Sequence, residues 1–132
     1  MADMVKIMAV DDQPDIVSLL KRILEGAGYA FVGCCSGEEC LEKYEKEKPD
    51  LILLDIWMPG VDGWQVYERI KDINKAQKIA FLSALGIGPQ SQVKLVKLGI
   101  KDYISKPFEP NELLERVREI LARPPVQAPV KH

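Results

Sequence analysis

The fold of this chain is decided by residues 51–63, which read LILLDIWMPGVDG. The four aliphatic residues at the start show no polar alternation, which is typical of a short strand covered on both faces. Asp55 follows them, and the turn residues Pro59-Gly60 and Asp62-Gly63 then carry the chain away from the strand. Asp55 is therefore predicted to lie at the carboxyl end of a buried strand, where ligands bind in open α/β sheets. A plainer interpretation of this segment alone is that Asp55 caps the loop that follows.

The composition indicates a globular protein of one domain. The chain has 132 residues, of which 47% are hydrophobic and 29% are charged. Its net charge of −2 gives no global electrostatic reason to bind nucleic acid or an anionic membrane. No apolar run approaches the roughly 18 residues of a membrane span, and the first residues lack the apolar core of a signal peptide. We therefore expect a cytoplasmic protein.

The cysteines and the histidine exclude several kinds of site. Cys34, Cys35 and Cys40 lack paired C-x-x-C spacing, which favours structural or reduced thiols over a metal site. His132 is the only histidine and is the last residue. A Ser-His-Asp or Cys-His nucleophilic site is therefore not expected.

Five predicted strands alternate with five predicted helices. The strands cover residues 5–10, 29–33, 51–55, 78–82 and 102–105, and the helices cover residues 14–27, 36–47, 64–70, 93–98 and 110–121. The second helix opens with Ser36-Gly37-Glu38-Glu39, which has the form of a capping box. This alternation predicts right-handed βαβ crossovers and an open, doubly wound parallel sheet. We expect the domain to span residues 1–123 and the proline-rich residues 124–132 to form a disordered tail.

Polar side chains end four of the five predicted strands. They are Asp11-Asp12, Asp55, Ser83 and Lys106. Each alone has an ordinary explanation as a helix cap or a surface lysine, but the carboxyl ends of parallel strands share one edge of the sheet. Neighbouring carboxylates repel one another unless a cation lies among them, and a hard ion such as Mg²⁺, or alternatively Mn²⁺, suits these ligands. With a lysine and a hydroxyl beside them, the chemistry indicated is phosphoryl transfer, with Asp55 as the nucleophile that forms an acyl phosphate.

The sequence resembles the receiver domain of two-component response regulators over about residues 4–122. The matching motifs are the Asp11-Asp12 pair, Asp55 with MPG at 58–60 and DG at 62–63, Ser83-Ala84, and Tyr103 with KPF at 106–108. The resemblance implies a flavodoxin-like fold with a five-stranded sheet of order 2-1-3-4-5. It also implies a signalling domain that catalyses its own phosphorylation and dephosphorylation, and not an enzyme with a separate substrate.

The resemblance assigns roles to individual residues. Asp11, Asp12, Asp55 and the main-chain carbonyl of Trp57 would bind Mg²⁺, and Asp55 would accept phosphate from a sensor histidine kinase. Lys106 would pair with the phosphoryl group, and the Lys106-Pro107 peptide bond would be cis. Ser83 and Tyr103 would form a switch pair, in which the hydroxyl moves toward the phosphate and the ring follows.

Two apolar residues predict a long-lived phosphorylated state. In the family, the positions of Trp57 and Leu85 border the path of the water that hydrolyses the acyl phosphate. Both are large and apolar here, whereas a polar side chain there could orient the water. The alternative is that Trp57 simply lies on the surface or in a contact with a partner.

The output surface is less specific. The resemblance implies a changing face made by the fourth helix, fifth strand and fifth helix. Its charged residues are Lys94, Lys97, Lys101, Glu112, Glu115, Arg116 and Glu119. They could pair across a homodimer. The plainer interpretation is that these are the charges of an ordinary solvated face. The other expected partner is a downstream protein target or phosphotransfer protein, with no direct contact to nucleic acid or membrane, and the chain is either a stand-alone receiver or part of a longer regulator.

Two other functions stay open. A Mg²⁺-dependent phosphohydrolase would also use Asp55, but it would need a second carboxylate where Trp57 stands and an inserted cap segment, and neither is found. A receiver that signals by protein contact alone would not need the full set of acidic, hydroxyl and lysine residues.

Overall fold

A computed structural model describes residues 4–83, 97 and 102–124. The strands are β1 (Lys6–Val10), β2 (Ala30–Cys34), β3 (Leu51–Asp55), β4 (Lys78–Ser83) and β5 (Tyr103–Ser105). The helices are α1 (Pro14–Gly26), α2 (Gly37–Glu47), α3 (Gly63–Ile73) and a C-terminal helix (Pro110–Ala122). All predicted strands are confirmed to within a few residues. The predicted helix over residues 93–98 lies outside the described residues except for Lys97, which is helical, and the predicted tail lies outside them except for Pro124.

The strands form one parallel sheet of order β2-β1-β3-β4-β5, as predicted. The strand order changes direction between β1 and β3. The chain leaves β1 for helix α1 on one face of the sheet and leaves β3 for helix α3 on the other face. In such sheets this reversal opens a crevice at the carboxyl ends of the strands. The fold therefore places a site beside β1 and β3.

Two apolar cores cover the two faces of the sheet. Alternate residues of β3 point to opposite faces, with Ile52 and Leu54 packing in the core that includes α2 and α3. Leu51 and Leu53 pack in the other core, with α1 and the C-terminal helix. All four side chains are fully buried, which explains why β3 reads as a continuous apolar run. None of the helices in the described ranges is long and apolar enough to cross a membrane.

The helix starts differ in detail from the predicted pattern. Ser36 Oγ accepts a hydrogen bond from Glu39 N–H at 3.1 Å, as a capping box requires. The Glu39 carboxylate, however, accepts from Cys35 N–H at 2.7 Å, one residue before the predicted partner. A complete capping box lies instead at α3, between Asp62 and Gln65. Asp62 thus caps a helix and is more than a turn residue.

Candidate functional site

The register of the sheet brings the predicted site residues to one edge. Val10 pairs with Leu54, so Asp11 follows β1 beside Asp55 at the end of β3. Ser83 and Ser105 pair at the ends of β4 and β5, and Lys106 follows. Residues separated by up to 95 positions therefore meet at the carboxyl edge.

Three carboxylates meet at this edge. Asp11, Asp12 and Asp55 each offer one oxygen atom, and these atoms all lie within 4.8 Å of one another. Asp11 and Asp55 are buried, whereas Asp12 is exposed. The site is thus closed on its protein side and open to water beside Asp12.

The environment of Asp55 disfavours its charged form. The pKa of Asp55 is raised from its ordinary value of 3.8 to about 6, chiefly by burial, and Lys106 opposes this rise. The Asp11 and Asp12 carboxylates also contribute to this rise, while the hydrogen bond from Trp57 N–H opposes it. A positive charge among these oxygen atoms would relieve both the burial penalty and the repulsion.

Lys106 supplies one such charge. Its Nζ lies 2.5 Å from Asp11 Oδ2 and 3.6 Å from Asp55 Oδ2, and its side chain is buried. The Lys106-Pro107 peptide bond is cis, as predicted. The ammonium group therefore reaches both buried carboxylates.

Backbone N–H groups orient the remaining carboxylate oxygens. Gln13 N–H donates to Asp11 Oδ1 at 2.9 Å, and Trp57 N–H donates to Asp55 Oδ1 at 3.2 Å. Each bond comes from the residue two positions after its carboxylate. Both carboxylates are therefore held in fixed orientations, with their Oδ2 atoms toward Lys106.

The donor set fits Mg²⁺. Hard divalent ions bind carboxylate oxygen atoms, and Mg²⁺ usually keeps several water ligands. The three converging carboxylates supply the oxygen atoms, and exposed Asp12 leaves access for water. The residues present are therefore suited to this ion.

The remaining predicted site residues are Ser83, Trp57 and Tyr103. The main chain of Ser83 ends β4 at the site edge, but its side chain lies outside the described residues, as do Ala84 and Leu85. Trp57, whose N–H group bonds to Asp55, is 61% exposed. Tyr103 is 39% exposed and pairs with Phe81, two residues before Ser83.

The family model for the response regulator receiver domain matches residues 7–118. The chain belongs to this family. Receiver domains are signalling domains that interact with histidine kinases and downstream effectors, and they bind Mg²⁺ at an acidic pocket. The acidic group of this receiver domain is consistent with a phosphoacceptor site.

Relatives of this receiver domain include regulators and chemotaxis proteins. It is 41% identical over 124 residues to the alkaline phosphatase synthesis transcriptional regulatory protein PhoP of Bacillus subtilis, covering 94% of this chain and 51% of that protein. It is 36% identical over 117 residues to the chemotaxis protein CheY of Thermotoga maritima, covering 87% and 96% respectively. The chain thus spans about half the length of the transcriptional regulators that it matches.

Solved receiver structures share the fold. The CheY-like receiver domain protein of Methanospirillum hungatei superposes with a TM-score of 0.84 at 30% identity, covering 90% of this chain and 94% of that one. The chemotaxis protein CheY4 of Vibrio cholerae superposes with a TM-score of 0.83 at 28% identity, covering 89% and 99% respectively. The predicted flavodoxin-like fold is confirmed.

Proposed function

We propose that this receiver domain is a Mg²⁺-dependent phosphorylation switch, with Asp55 as the residue that accepts the phosphoryl group from a histidine kinase. The observation that carries the proposal is the meeting of three carboxylates and Lys106 at the carboxyl edge of the sheet. A structural ion pair would need one carboxylate beside the lysine. Two additional carboxylates within 4.8 Å make the site suited to a metal ion and a phosphoryl group.

The proposed reaction moves a phosphoryl group from nitrogen to oxygen. A carboxylate oxygen of Asp55 attacks the phosphorus of a phosphohistidine and forms the P–O bond of an acyl phosphate. The P–N bond breaks, and its electron pair stays on the imidazole nitrogen. The N–H group of Trp57 orients Asp55 for this attack by holding Oδ1 at 3.2 Å.

Asp11, Asp12, Asp55 and the main-chain carbonyl of Trp57 would hold Mg²⁺. When bound, the ion would neutralise charge on the phosphoryl oxygen atoms. Lys106 would donate a hydrogen bond to one of those oxygen atoms, since its Nζ already lies 3.6 Å from Asp55 Oδ2. Ser83 would donate to another, and Tyr103 would follow its movement as the second member of the switch pair.

The output of the switch would be protein binding. Downstream effectors or a phosphotransfer protein would recognise the changed surface, and a homodimer through the face around β5 is the alternative. Within this surface Arg116 lies 3.8 Å from Asp102 of its own chain, and Arg123 forms two hydrogen bonds to the same carboxylate. Arg116 is thus already paired within its own chain, which favours an effector over a homodimer held by this arginine.

A phosphodonor experiment tests the proposal. We expect acetyl phosphate with Mg²⁺ to add one phosphoryl group to each chain, and we expect Asp55→Asn to remain unlabelled under the same conditions. Labelling of Asp55→Asn at the wild-type level would contradict the assignment. Release of many equivalents of inorganic phosphate per chain and minute would support the competing phosphohydrolase.

A further inference from the structure

The loop between β3 and α3, residues 56–62, begins beside Asp55 and includes Trp57. Its N–H groups show how it is held, because each needs an acceptor or water. Ile56 N–H donates to Leu82 O, Trp57 N–H donates to Asp55 Oδ1, and Asp62 N–H donates to Gln65 Oε1. These bonds fix the two ends of the loop.

The middle of the loop is bonded to a different helix. Val61 N–H donates to Oε1 of Glu38 at 3.2 Å, and Glu38 lies in the first turn of α2. The two residues are 23 positions apart. Glu38 itself is exposed, so nothing in its burial requires an acidic residue there.

Gly37 brings α2 into direct contact with the loop. A Cβ atom on Gly37 would lie 2.6 Å from the carbonyl oxygen of Val61 and 2.8 Å from Val66 Cγ2. Both distances are shorter than atoms tolerate, so only glycine permits this approach. Val61 also packs against the buried cluster that includes Met58, and these contacts hold the loop against the core. The loop is thus packed by Met58 and Val61 and hydrogen-bonded by Glu38.

We propose that Glu38 is a positioning residue for the metal site. It would fix the loop through Val61 and thereby hold the carbonyl of Trp57 toward the three carboxylates. The inference rests on the proposed function, because that function makes the Trp57 carbonyl a ligand. It adds a residue outside the acidic group, on another helix, on which the Mg²⁺ affinity depends.

Two substitutions of Glu38 distinguish the effect of its hydrogen bond to Val61 from the effect of its negative charge. Glutamine keeps an acceptor oxygen at the same reach but is neutral. Aspartate keeps the charge but is one methylene shorter. If the hydrogen bond to Val61 supports Mg²⁺ binding, Glu38→Gln keeps the wild-type affinity and Glu38→Asp weakens it. If the negative charge of Glu38 acts on the ion at long range instead, Glu38→Asp keeps the affinity and Glu38→Gln weakens it.

The experiment measures Mg²⁺ affinity by isothermal titration calorimetry on the wild-type chain and on Glu38→Gln, Glu38→Asp and Glu38→Ala. We expect Glu38→Ala and Glu38→Asp to bind Mg²⁺ about three- to tenfold more weakly, and Glu38→Gln to bind within about twofold of wild type. Glu42→Ala is the matched control, since Glu42 is an exposed acid of α2 with no hydrogen bond to the loop among the described residues. It should leave the affinity unchanged.

Amide hydrogen exchange at Val61 gives a second readout that does not depend on the metal. We expect this amide to exchange about three- to tenfold faster in Glu38→Ala and Glu38→Asp than in wild type, and at the wild-type rate in Glu38→Gln. Melting temperatures of all variants check that the fold is kept.

Equal Mg²⁺ affinity in wild type and Glu38→Ala would overturn the inference and leave the proposed function standing. Loss of affinity in Glu38→Gln but not in Glu38→Asp would overturn it in favour of a charge effect. A wild-type chain that does not bind Mg²⁺ would overturn the proposed function, and this inference with it.

Discussion

The Lys106 ammonium group forms a hydrogen-bonded ion pair with Asp11 and lies farther from the Asp55 carboxylate. Its Nζ is 2.5 Å from Asp11 Oδ2 but 3.6 Å from Asp55 Oδ2. The lysine thus neutralises the carboxylate next to the proposed phosphoacceptor and leaves Asp55 with the weaker contact. Mg²⁺ and the ammonium group would therefore compete for Asp11.

Replacement of Lys106 should strengthen Mg²⁺ binding while it impairs phosphorylation. In Lys106→Met the ion no longer competes with a positive charge a few ångströms away, and we expect at least about tenfold tighter binding. Labelling by acetyl phosphate should nevertheless slow, because the phosphoryl oxygen atoms lose their hydrogen-bond donor. Calorimetry and labelling rates measure the two effects.

Lys21→Met is the control for this change. Lys21 pairs with Glu25 on the exposed surface of α1, so its loss removes the same charge without touching the acidic group. Mg²⁺ affinity should be unchanged in Lys21→Met. Weaker or equal Mg²⁺ binding in Lys106→Met would show that the lysine does not compete with the ion.

The raised pKa of Asp55 predicts a pH-dependent stability. A carboxyl group with a pKa of about 6 in the folded chain and 3.8 when unfolded stabilises the fold below pH 3.8, and this contribution is lost as the pH rises to about 6. At pH 8 in EDTA, Asp55→Asn should therefore be more stable than wild type by about 1–3 kcal/mol. The difference should shrink as the pH falls from 6 toward 4.

Urea unfolding at pH 4.5 and pH 8 measures this difference. Asp72→Asn is the control, since Asp72 is exposed on α3 and its replacement should change stability little at either pH. A gain for Asp55→Asn that is equal at both pH values would rule out titration of Asp55 as its cause.

The fold could be predicted because its signals are local. The fully apolar run of β3 reflects burial on both faces, and the alternation of strands and helices then leaves few topologies. The edge that collects Asp11, Asp55 and Lys106 follows from that topology. These features need only the order and spacing of residues.

The finer features of the site depend on distances that no sequence pattern encodes. The preference of Lys106 for Asp11 rests on a difference of about 1 Å between two contacts. The hydrogen bond from Val61 to Glu38 joins the loop after β3 to helix α2, 23 positions away in the sequence. The cap at Asp62 could have been found, because Gln65 stands three residues later as a capping box requires. The pair Asp62-Gly63 is also typical of a turn, and the prediction of a turn left the cap unrecognised.

Trp57 is predicted to prolong the phosphorylated state. Trp57 is 61% exposed and stands two residues after Asp55, and its ring offers no hydrogen bond acceptor to orient an attacking water. Trp57→Asn should shorten the lifetime of the phosphorylated chain, while Trp57→Phe should preserve it. The lifetime is measured by the loss of label after removal of the phosphodonor, and an unchanged lifetime in Trp57→Asn would leave Trp57 as a surface or partner-contact residue.

Gly63 is predicted to be essential for the contact between α3 and β3. A Cβ atom there would lie 2.3 Å from the carbonyl oxygen of Asp55 and 2.8 Å from Ile56 Cα, and these backbone atoms cannot move without displacing Asp55. We expect Gly63→Ala to lower the free energy of unfolding by about 1–3 kcal/mol, the usual cost of overpacking, and to weaken Mg²⁺ binding.

Gly26→Ala makes the matched comparison, because a Cβ atom at the end of α1 would meet nothing within 4 Å. Alanine is the better helix former, so this change should be neutral or stabilising by up to about 1 kcal/mol. Urea unfolding of both variants separates the effect of the contact from the general effect of adding a methyl group to glycine. Equal stability of the two variants would mean that the backbone around Asp55 yields to the added atom, and that the close approach of α3 does not fix the position of Asp55.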